Sequence, residues 1–410
     1  MEKVHLQLKY VLENSPFYAE KLESIFELKE DIICRTEYKR IPFTTKDDLA
    51  QYNDLFLCVP KNKIAEFVTT SGTSGNPVSL FLTKSDLERL AKNEFDSLRL
   101  MGCTSDDVFQ LMTTIDKQFM AGLAYYLGVQ KLEAGMIRIG PGVPQLQIDS
   151  IFKYNPTKII AVPSFIVLLI NYAKDNNIDL NNSSVNAIIC IGEPIRNENF
   201  SLNILGEKIT KNWDVNLYST YASTEMAAAF SECEHQNGCH LNEDLLYLEV
   251  LDEKNEDVQH GEAGEIVITN LGVTGTPLIR YRTGDIARFY NSECPCGNKS
   301  PRIGPIIGRK NQMIKYKGTT IFPKAIYDIL DSFVEIDLYK IHINKDELGN
   351  DDITVILNDE IKDSLNIKFL EEKCKSKLKA IPNFTFTESS ELYNLIHKKH
   401  LRKPLKIEFI

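Results

Sequence analysis

No stretch of the 410 residues is apolar for long enough to cross a bilayer. A spanning helix needs about 20 apolar residues, and the longest candidate, Ala161 to Ala173, falls short. The opening MEKVHLQLKYVLENSPFYAEK lacks the apolar core of a secretion signal. Basic charge is not in excess either: 57 acidic residues outnumber 47 basic ones, for a net charge of −10. A protein that coats duplex nucleic acid carries the opposite balance. Internal repeats, low-complexity tracts and Gly/Ser linkers are missing. Nine cysteines in so long a chain, with no secretion signal, read as reduced thiols rather than a disulfide framework. These absences exclude a membrane span, a nucleic-acid coat and a stapled secreted domain, and they predict a cytoplasmic protein. Hydrophobic residues at 43% and charged residues at 25% fit an ordinary globular chain. The length predicts two or three domains.

The pattern along the chain predicts an α/β body. Thr45, with Asp48 three residues on, reads as a helix N-cap. Thr83 with Asp86 opens a stronger helix, in which Leu87, Leu90, Ala91, Phe95 and Leu98 recur at helical spacing and Gly102 lies beyond the end. Lys158–Val162 predicts a strand followed by a helix from Pro163 to Ala173. Ala187–Ile191 is apolar throughout, as in a strand buried on both faces. Glu265–Thr269 alternates more and predicts a separate β-rich part. After Gly308-Arg309 the pattern becomes a small α+β domain, with a helix at Pro323–Phe333, strands at Leu338–Ile343 and Ile353–Leu357, and a charged amphipathic helix at Ser364–Ala380. The expected domains are therefore 1–309 and 310–410.

Four local motifs carry chemistry. Thr69-Thr70-Ser71-Gly72-Thr73-Ser74-Gly75-Asn76-Pro77 follows the short strand pattern Glu66-Phe67-Val68. Glycines allow a tight turn, and exposed amides and hydroxyls then donate to phosphate oxygens. A Ser/Thr-rich surface turn would look the same. Tyr221-Ala222-Ser223-Thr224-Glu225 places a carboxylate beside hydroxyls and suits a phosphate-bound Mg²⁺. The bland alternative is a helix N-terminus capped by Ser223 or Thr224, with Glu225 at its positive end. Tyr281-Arg282-Thr283-Gly284-Asp285 puts a carboxylate after a turn glycine, where it suits a ribose diol or plain solvent. The fourth motif is Gly308-Arg309-Lys310-Asn311-Gln312-Met313.

Taken in order with Gly192-Glu193-Pro194 after a buried strand and Cys294-Pro295-Cys296-Gly297, these motifs resemble the adenylate-forming superfamily of acyl-CoA synthetases and adenylation domains, in its phenylacetate-CoA ligase-like branch. The resemblance covers residue 65 to the C-terminus. It implies a large N-terminal domain of mixed sheets and helices that binds ATP and acid, and a small mobile α+β C-terminal lid. Ser71, Gly72, Thr73, Ser74 and Gly75 would cradle the ATP phosphates. Glu193, Pro194 and Tyr221 would face adenine, with Ala222, Ser223 and Thr224 beside them. Glu225 would hold Mg²⁺, Asp285 the ribose, and Arg309 would support the ribose from the boundary. Asn311 occupies the hinge position, where the family often has Asp or Lys. The catalytic lysine falls in Leu401-Arg402-Lys403-Pro404-Leu405-Lys406, and Lys403 is assigned. Lys398, Lys399 and Lys406 remain alternatives because the usual loop glycine is missing. Phe119 and Gly122 fall at the acyl pocket, or at an amphipathic helix start.

The implied reaction activates a carboxylic acid, expected to be aromatic, to acyl-AMP and then passes the acyl group to coenzyme A. A carrier-protein thiol or an amine as acceptor, and a silent nucleotide-binding homologue, are the rivals. A homodimer is compatible with this class.

Cys233, His235, Cys239 and His240 cluster, and Cys294 and Cys296 follow. Four Cys/His donors suit a structural tetrahedral Zn²⁺, and some members of the resembled branch carry one. Cys233, His240, Cys294 and Cys296 are the expected ligands, with Cys239 and His235 as alternates. Reduced cysteines beside a turn are the plain alternative.

Overall fold

A computed structural model describes residues 1–23, 31–70, 78–345, 351–396 and 405–410. It divides into two compact units, Met1–Ile306 and Ile307–Ile410. Both are mixed α/β, the fold class expected from the sequence.

The first unit is built on one long sheet. Its strands, in chain order, are β1 (Ile64–Thr69), β2 (Ser79–Thr83), β3 (Val108–Leu111), β4 (Gly135–Arg138), β5 (Lys158–Ala161), β6 (Ala187–Cys190), β7 (Asn216–Ser223), β8 (Ala228–Glu232), β9 (Cys239–His240), β10 (Leu246–Leu251), β11 (Ala263–Asn270), β12 (Tyr281–Tyr290) and β13 (Arg302–Ile303). β1 and β2 form a separate antiparallel pair. The others run β10-β11-β12-β13-β9-β8-β7-β6-β5-β3-β4. From β4 to β7 the pairing is parallel, and from β7 to β10 it is antiparallel.

Helices Met120–Lys131, Pro144–Tyr154, Pro163–Asp175 and Ile204–Thr210 connect the parallel strands. Covered on both faces, β6 is buried at every residue, which is why it reads as a continuous apolar run. The β-rich part expected to stand apart is instead continuous with the α/β half. The join is the β7–β8 hairpin, whose loop Thr224–Ala227 contains no glycine. Ala227 takes the left-handed conformation there, at φ 47°, so the usual hairpin sequence signal is absent.

Two helix starts follow directly from local chemistry. Thr45 and Asp48, and Thr83 and Asp86, form reciprocal capping boxes at Lys46–Gln51 and Lys84–Leu100. The N-terminal segment then closes on a distant stretch. Gln7 Nε2 donates to the Val273 carbonyl at 2.9 Å, and Ile279 N donates to Tyr18 Oη at 2.8 Å. Tyr38 and Thr269 share a hydrogen bond of 2.6 Å, and Arg282 N donates to the Thr44 carbonyl at 2.9 Å. Beneath them the buried Arg280 guanidinium takes both oxygens of buried Glu249, at 3.1 and 2.9 Å.

In the second unit, Tyr339–Lys345 and Asp351–Asn358 pair antiparallel. Asn383–Thr387 and Ile407–Phe409 flank them in parallel. Helices Pro323–Leu330 and Ile367–Leu378 pack their buried apolar faces with this sheet around Ile341, Ile353 and Leu370. Among the described residues no helix is long and apolar enough to cross a membrane.

Candidate active site and metal centre

The carboxyl ends of parallel strands are where open α/β sheets bind ligands, and two of the motifs fall there. Gly192-Glu193-Pro194 follows β6, and Gly192 needs its left-handed φ of 74° to turn the chain. The Glu193 carboxylate accepts from Ser164 N at 2.9 Å and Ser164 Oγ at 3.0 Å. It therefore ties the first turn of helix Pro163–Asp175 to the end of β6, stabilised by that helix's positive end.

Tyr221, Ala222 and Ser223 end β7, and Thr224 and Glu225 lie in the hairpin loop. Ser223 Oγ accepts from Met226 N at 3.3 Å, and Ala227 N donates to the Thr224 carbonyl at 3.2 Å. The helix start offered as the bland reading of this motif does not exist: Ser223 caps a hairpin turn. β12 crosses nearby. Between its pairs Arg282–Val267 and Ile286–Glu265, three residues of β12 oppose one of β11. Thr283-Gly284-Asp285 is thus a bulge inside a strand rather than a loop turn, and Gly284 sits at φ 75°.

That bulge aims Asp285 at β7, where Tyr221 Oη donates to its Oδ2 at 2.8 Å. Burial, and then the Asp285 charge, hold the Tyr221 phenol well above its usual range, so it remains a donor. Tyr281, four residues earlier, donates from its hydroxyl to Glu225 Oε1 at 3.4 Å. Tyr221, Glu225 and Asp285 are therefore brought together, with Pro194 and Glu193 one strand away. Arg309 and Asn311 belong to the second unit, both exposed, with Asn311 in the 3₁₀ turn Lys310–Gln312. Ser71, Gly72, Thr73, Ser74, Gly75 and Lys403 lie outside the described residues. Lys406 is described, and its ammonium meets Tyr339 Oη at 3.1 Å and Asp331 at 3.7 Å.

Phe119 is the exposed N-cap of helix Met120–Lys131, and Gly122 lies in the first turn. A Cβ on Gly122 would stand 1.9 Å from the Thr114 carbonyl oxygen, so glycine is required by this close approach. Lys117 and Gln118 both adopt left-handed φ, 59° and 58°. Such residues cost about 1–3 kcal/mol each and persist where the surroundings hold them. Here Thr69 N holds the Gln118 carbonyl at 3.1 Å, at the edge of the phosphate-loop motif.

One buried group next to this helix escaped the sequence reading. Glu94 packs against Gly128, where glycine leaves room for its Cβ, and its only visible signal was a charge on the apolar face of its helix. Burial pushes its carboxyl up to about 7. A carboxyl raised in the folded state favours folding at low pH, and that contribution disappears as pH rises from the unfolded value through 7. Stability should therefore fall between about pH 5 and pH 8, and Glu94→Gln should flatten that decline in urea unfolding curves. An unchanged slope would exclude Glu94 as its source.

The cysteine cluster is well formed. Cys233, His240, Cys294 and Cys296 present ligand atoms that all lie within 4.8 Å of one another. Cys233 and Cys294 sulfurs are 3.7 Å apart, and Cys296 Sγ lies 3.6 Å from His240 Nε2. A tetrahedron with Zn–S of about 2.3 Å and Zn–N of about 2.0–2.1 Å requires roughly 3.8 Å and 3.6 Å for these edges. His240 Nδ1 is oriented by Ser300 Oγ at 3.2 Å, the outer-shell partner that ligating histidines take. Burial, reinforced by Arg302, lowers the His240 pKa to about 4, which leaves the imidazole neutral as ligation requires. The donor set therefore fits zinc. Of the alternates, Cys239 turns to the Ser219 carbonyl and His235 is exposed.

Residues 5–276 match the family described as AMP-binding enzyme. The chain belongs to that family. It is 27% identical over 351 residues to the phenylacetate-coenzyme A ligase of Pseudomonas putida, covering 84% of this chain and 77% of that one. With the same-named enzyme of Aromatoleum evansii it shares 24% over 414 residues, covering 100% and 90%. Among solved structures, 2-hydroxyisobutyryl-CoA ligase in its postadenylation state superimposes with a TM-score of 0.82 at 20% identity, over 100% of this chain and 88% of that one. This AMP-binding enzyme is thus an adenylate-forming ligase of the phenylacetate-CoA ligase type, as its motifs implied.

Proposed function

We propose that this enzyme activates an aromatic carboxylic acid with ATP and transfers the acyl group to coenzyme A. The acid's carboxylate oxygen bonds to the α-phosphorus as the bond to pyrophosphate breaks. The thiol sulfur of coenzyme A then bonds to the acyl carbon, AMP leaves with the C–O bonding pair, and the thiol proton passes to solvent. The supporting observation is the Tyr221–Asp285 hydrogen bond, in a strand bulge, beside Glu225. Asp285 presents a carboxylate to the ribose diol, and the Tyr221 ring lies against the base. Glu225, half-buried at the hairpin loop, would hold Mg²⁺, which neutralises phosphate charge. The protein's contribution is placement and charge stabilisation. An aromatic acid is the expected substrate, on the strength of the resemblance and the phenylacetate-named relatives. Cys233, His240, Cys294 and Cys296 would carry one structural zinc.

ATP–pyrophosphate exchange across a panel of aryl, aliphatic and hydroxy acids tests this reading. Exchange that depends on an added acid supports it. AMP binding without exchange for any acid would make the chain a silent nucleotide binder, and acyl transfer only to a carrier protein or amine would replace coenzyme A. Asp285→Asn should raise the ATP KM by about tenfold or more, since a charge-assisted hydrogen bond contributes about 1.5–3 kcal/mol. Unchanged ATP kinetics would remove Asp285 from the nucleotide site.

A further inference from the structure

We infer that Lys340 is a positioning residue for the lysine segment between residues 396 and 405, clamping its two ends together. The inference rests on the proposed reading that Lys403 serves acyl-AMP formation.

Lys340 lies in the central strand Tyr339–Lys345, and its side chain has no exposure to solvent. A buried ammonium must have its three N–H donors answered. The Leu405 carbonyl accepts at 2.9 Å, the Leu395 carbonyl at 3.5 Å, and the Glu408 carboxylate at 2.9 Å. These partners are not scattered. Leu395 is in the last turn of helix Ser389–Ile396, where carbonyls lack helical partners and the dipole favours a cation. Leu405 and Glu408 lie on the chain's return into the sheet. Leu405 N donates to the Ile396 carbonyl at 2.8 Å, and Ile341 N, next to Lys340, donates to the Lys406 carbonyl at 2.8 Å. One ammonium therefore joins the chain just before residue 397 to the chain just after residue 404. The sequence enclosed is His397-Lys398-Lys399-His400-Leu401-Arg402-Lys403-Pro404.

A methionine would fill the same slot with no charge to desolvate, and buried ions are often replaceable in this way without loss of stability. A lysine here does what an apolar residue could not, because holding both carbonyls takes a group with several N–H donors. Fixing both ends of a short segment restricts where its side chains reach. Misplacement by about 1 Å in a reacting group costs about 10²-fold in rate.

The test uses the full chain carrying Lys340→Met, measured in the two half-reactions separately. The expected result is a fall in acyl-AMP formation of about 10- to 100-fold in kcat with the ATP KM little changed. Thioester formation from supplied acyl-AMP and coenzyme A should stay near normal, and trypsin should cut after Lys398, Lys399 or Arg402 faster than in the parent. Glu408→Gln keeps both carbonyl contacts and should show the same pattern more weakly, which covers the case in which Lys340→Met fails to fold. Equal loss in both half-reactions with a lower melting temperature would reduce Lys340 to packing and overturn the inference. So would wild-type adenylation and cleavage in both variants. Lys403→Ala separates the two readings. If it abolishes adenylation while Lys340→Met does not, the clamp alone is wrong. If it leaves adenylation intact, the reading beneath the clamp is wrong.

Discussion

Lys403→Ala should lower acyl-AMP formation by about 10²–10³, equivalent to roughly 2.7–4 kcal/mol of transition-state stabilisation. Negative charge gathers between the α-phosphate and the entering carboxylate oxygen as that bond forms. A lysine placed there matters most in the transition state, so kcat should fall more than substrate binding weakens. The thiol step develops charge on the acyl carbonyl oxygen instead. The same variant, given chemically prepared acyl-AMP and coenzyme A, should therefore form thioester at a near-normal rate. Equal loss in both steps would argue against a lysine used for one step only. No loss in either would move the assignment to Lys399 or Lys398, ahead of Lys406, whose ammonium is already engaged by Tyr339 and Asp331.

Stripping the metal should be the largest single blow to stability. Protein purified without added metal is expected to carry about one zinc per chain. Replacing Cys294 and Cys296 together by serine should release it and lower unfolding free energy by several kcal/mol. The reason is connectivity. Cys233 follows β8, His240 ends β9, and Cys294 and Cys296 come from the loop between β12 and β13. One ion would tie that loop to the antiparallel half of the sheet, and its binding free energy would count directly as folding free energy. Complete metal loss with an unchanged melting curve would remove the structural role. Metal-free parent protein would return the four side chains to ordinary thiols and an imidazole.

What could be read in the sequence was local. The capping boxes at Thr45 and Thr83 involve residues three apart, so their chemistry is visible in a short window. The buried strand Ala187–Cys190 announces itself by composition. The four metal donors could be gathered by type and His240 preferred, but Cys239 could not be ruled out from sequence, because only the fold shows which of two strand neighbours, pointing to opposite faces, meets the others. Only the pairing of β9 with β13 and β8 decides which side meets Cys294. The continuity of the sheet was hidden for a similar reason. The β7–β8 loop turns on Ala227 rather than glycine, and the bulge that presents Asp285 depends on a register offset between β11 and β12. Lys340 gave no signal at all, since its partners lie more than fifty residues further along the chain.

The docking of the N-terminal segment on residues 269–282 sets a schedule for synthesis. Phe17, Tyr18, Tyr38 and Phe56 are buried in the finished protein, yet the strands that help cover them are translated late. From residue 60 to residue 282 is about 220 residues, or roughly 10–45 s at about 5–20 residues per second. Throughout that interval these side chains can pack on one another, as Phe17 does on Phe56, but lack the partners in residues 269–282 that they meet in the finished fold. A ribosome stalled before residue 282 would hold this segment without the residues that complete its cover, and transiently exposed apolar surface of that kind is what chaperones act on.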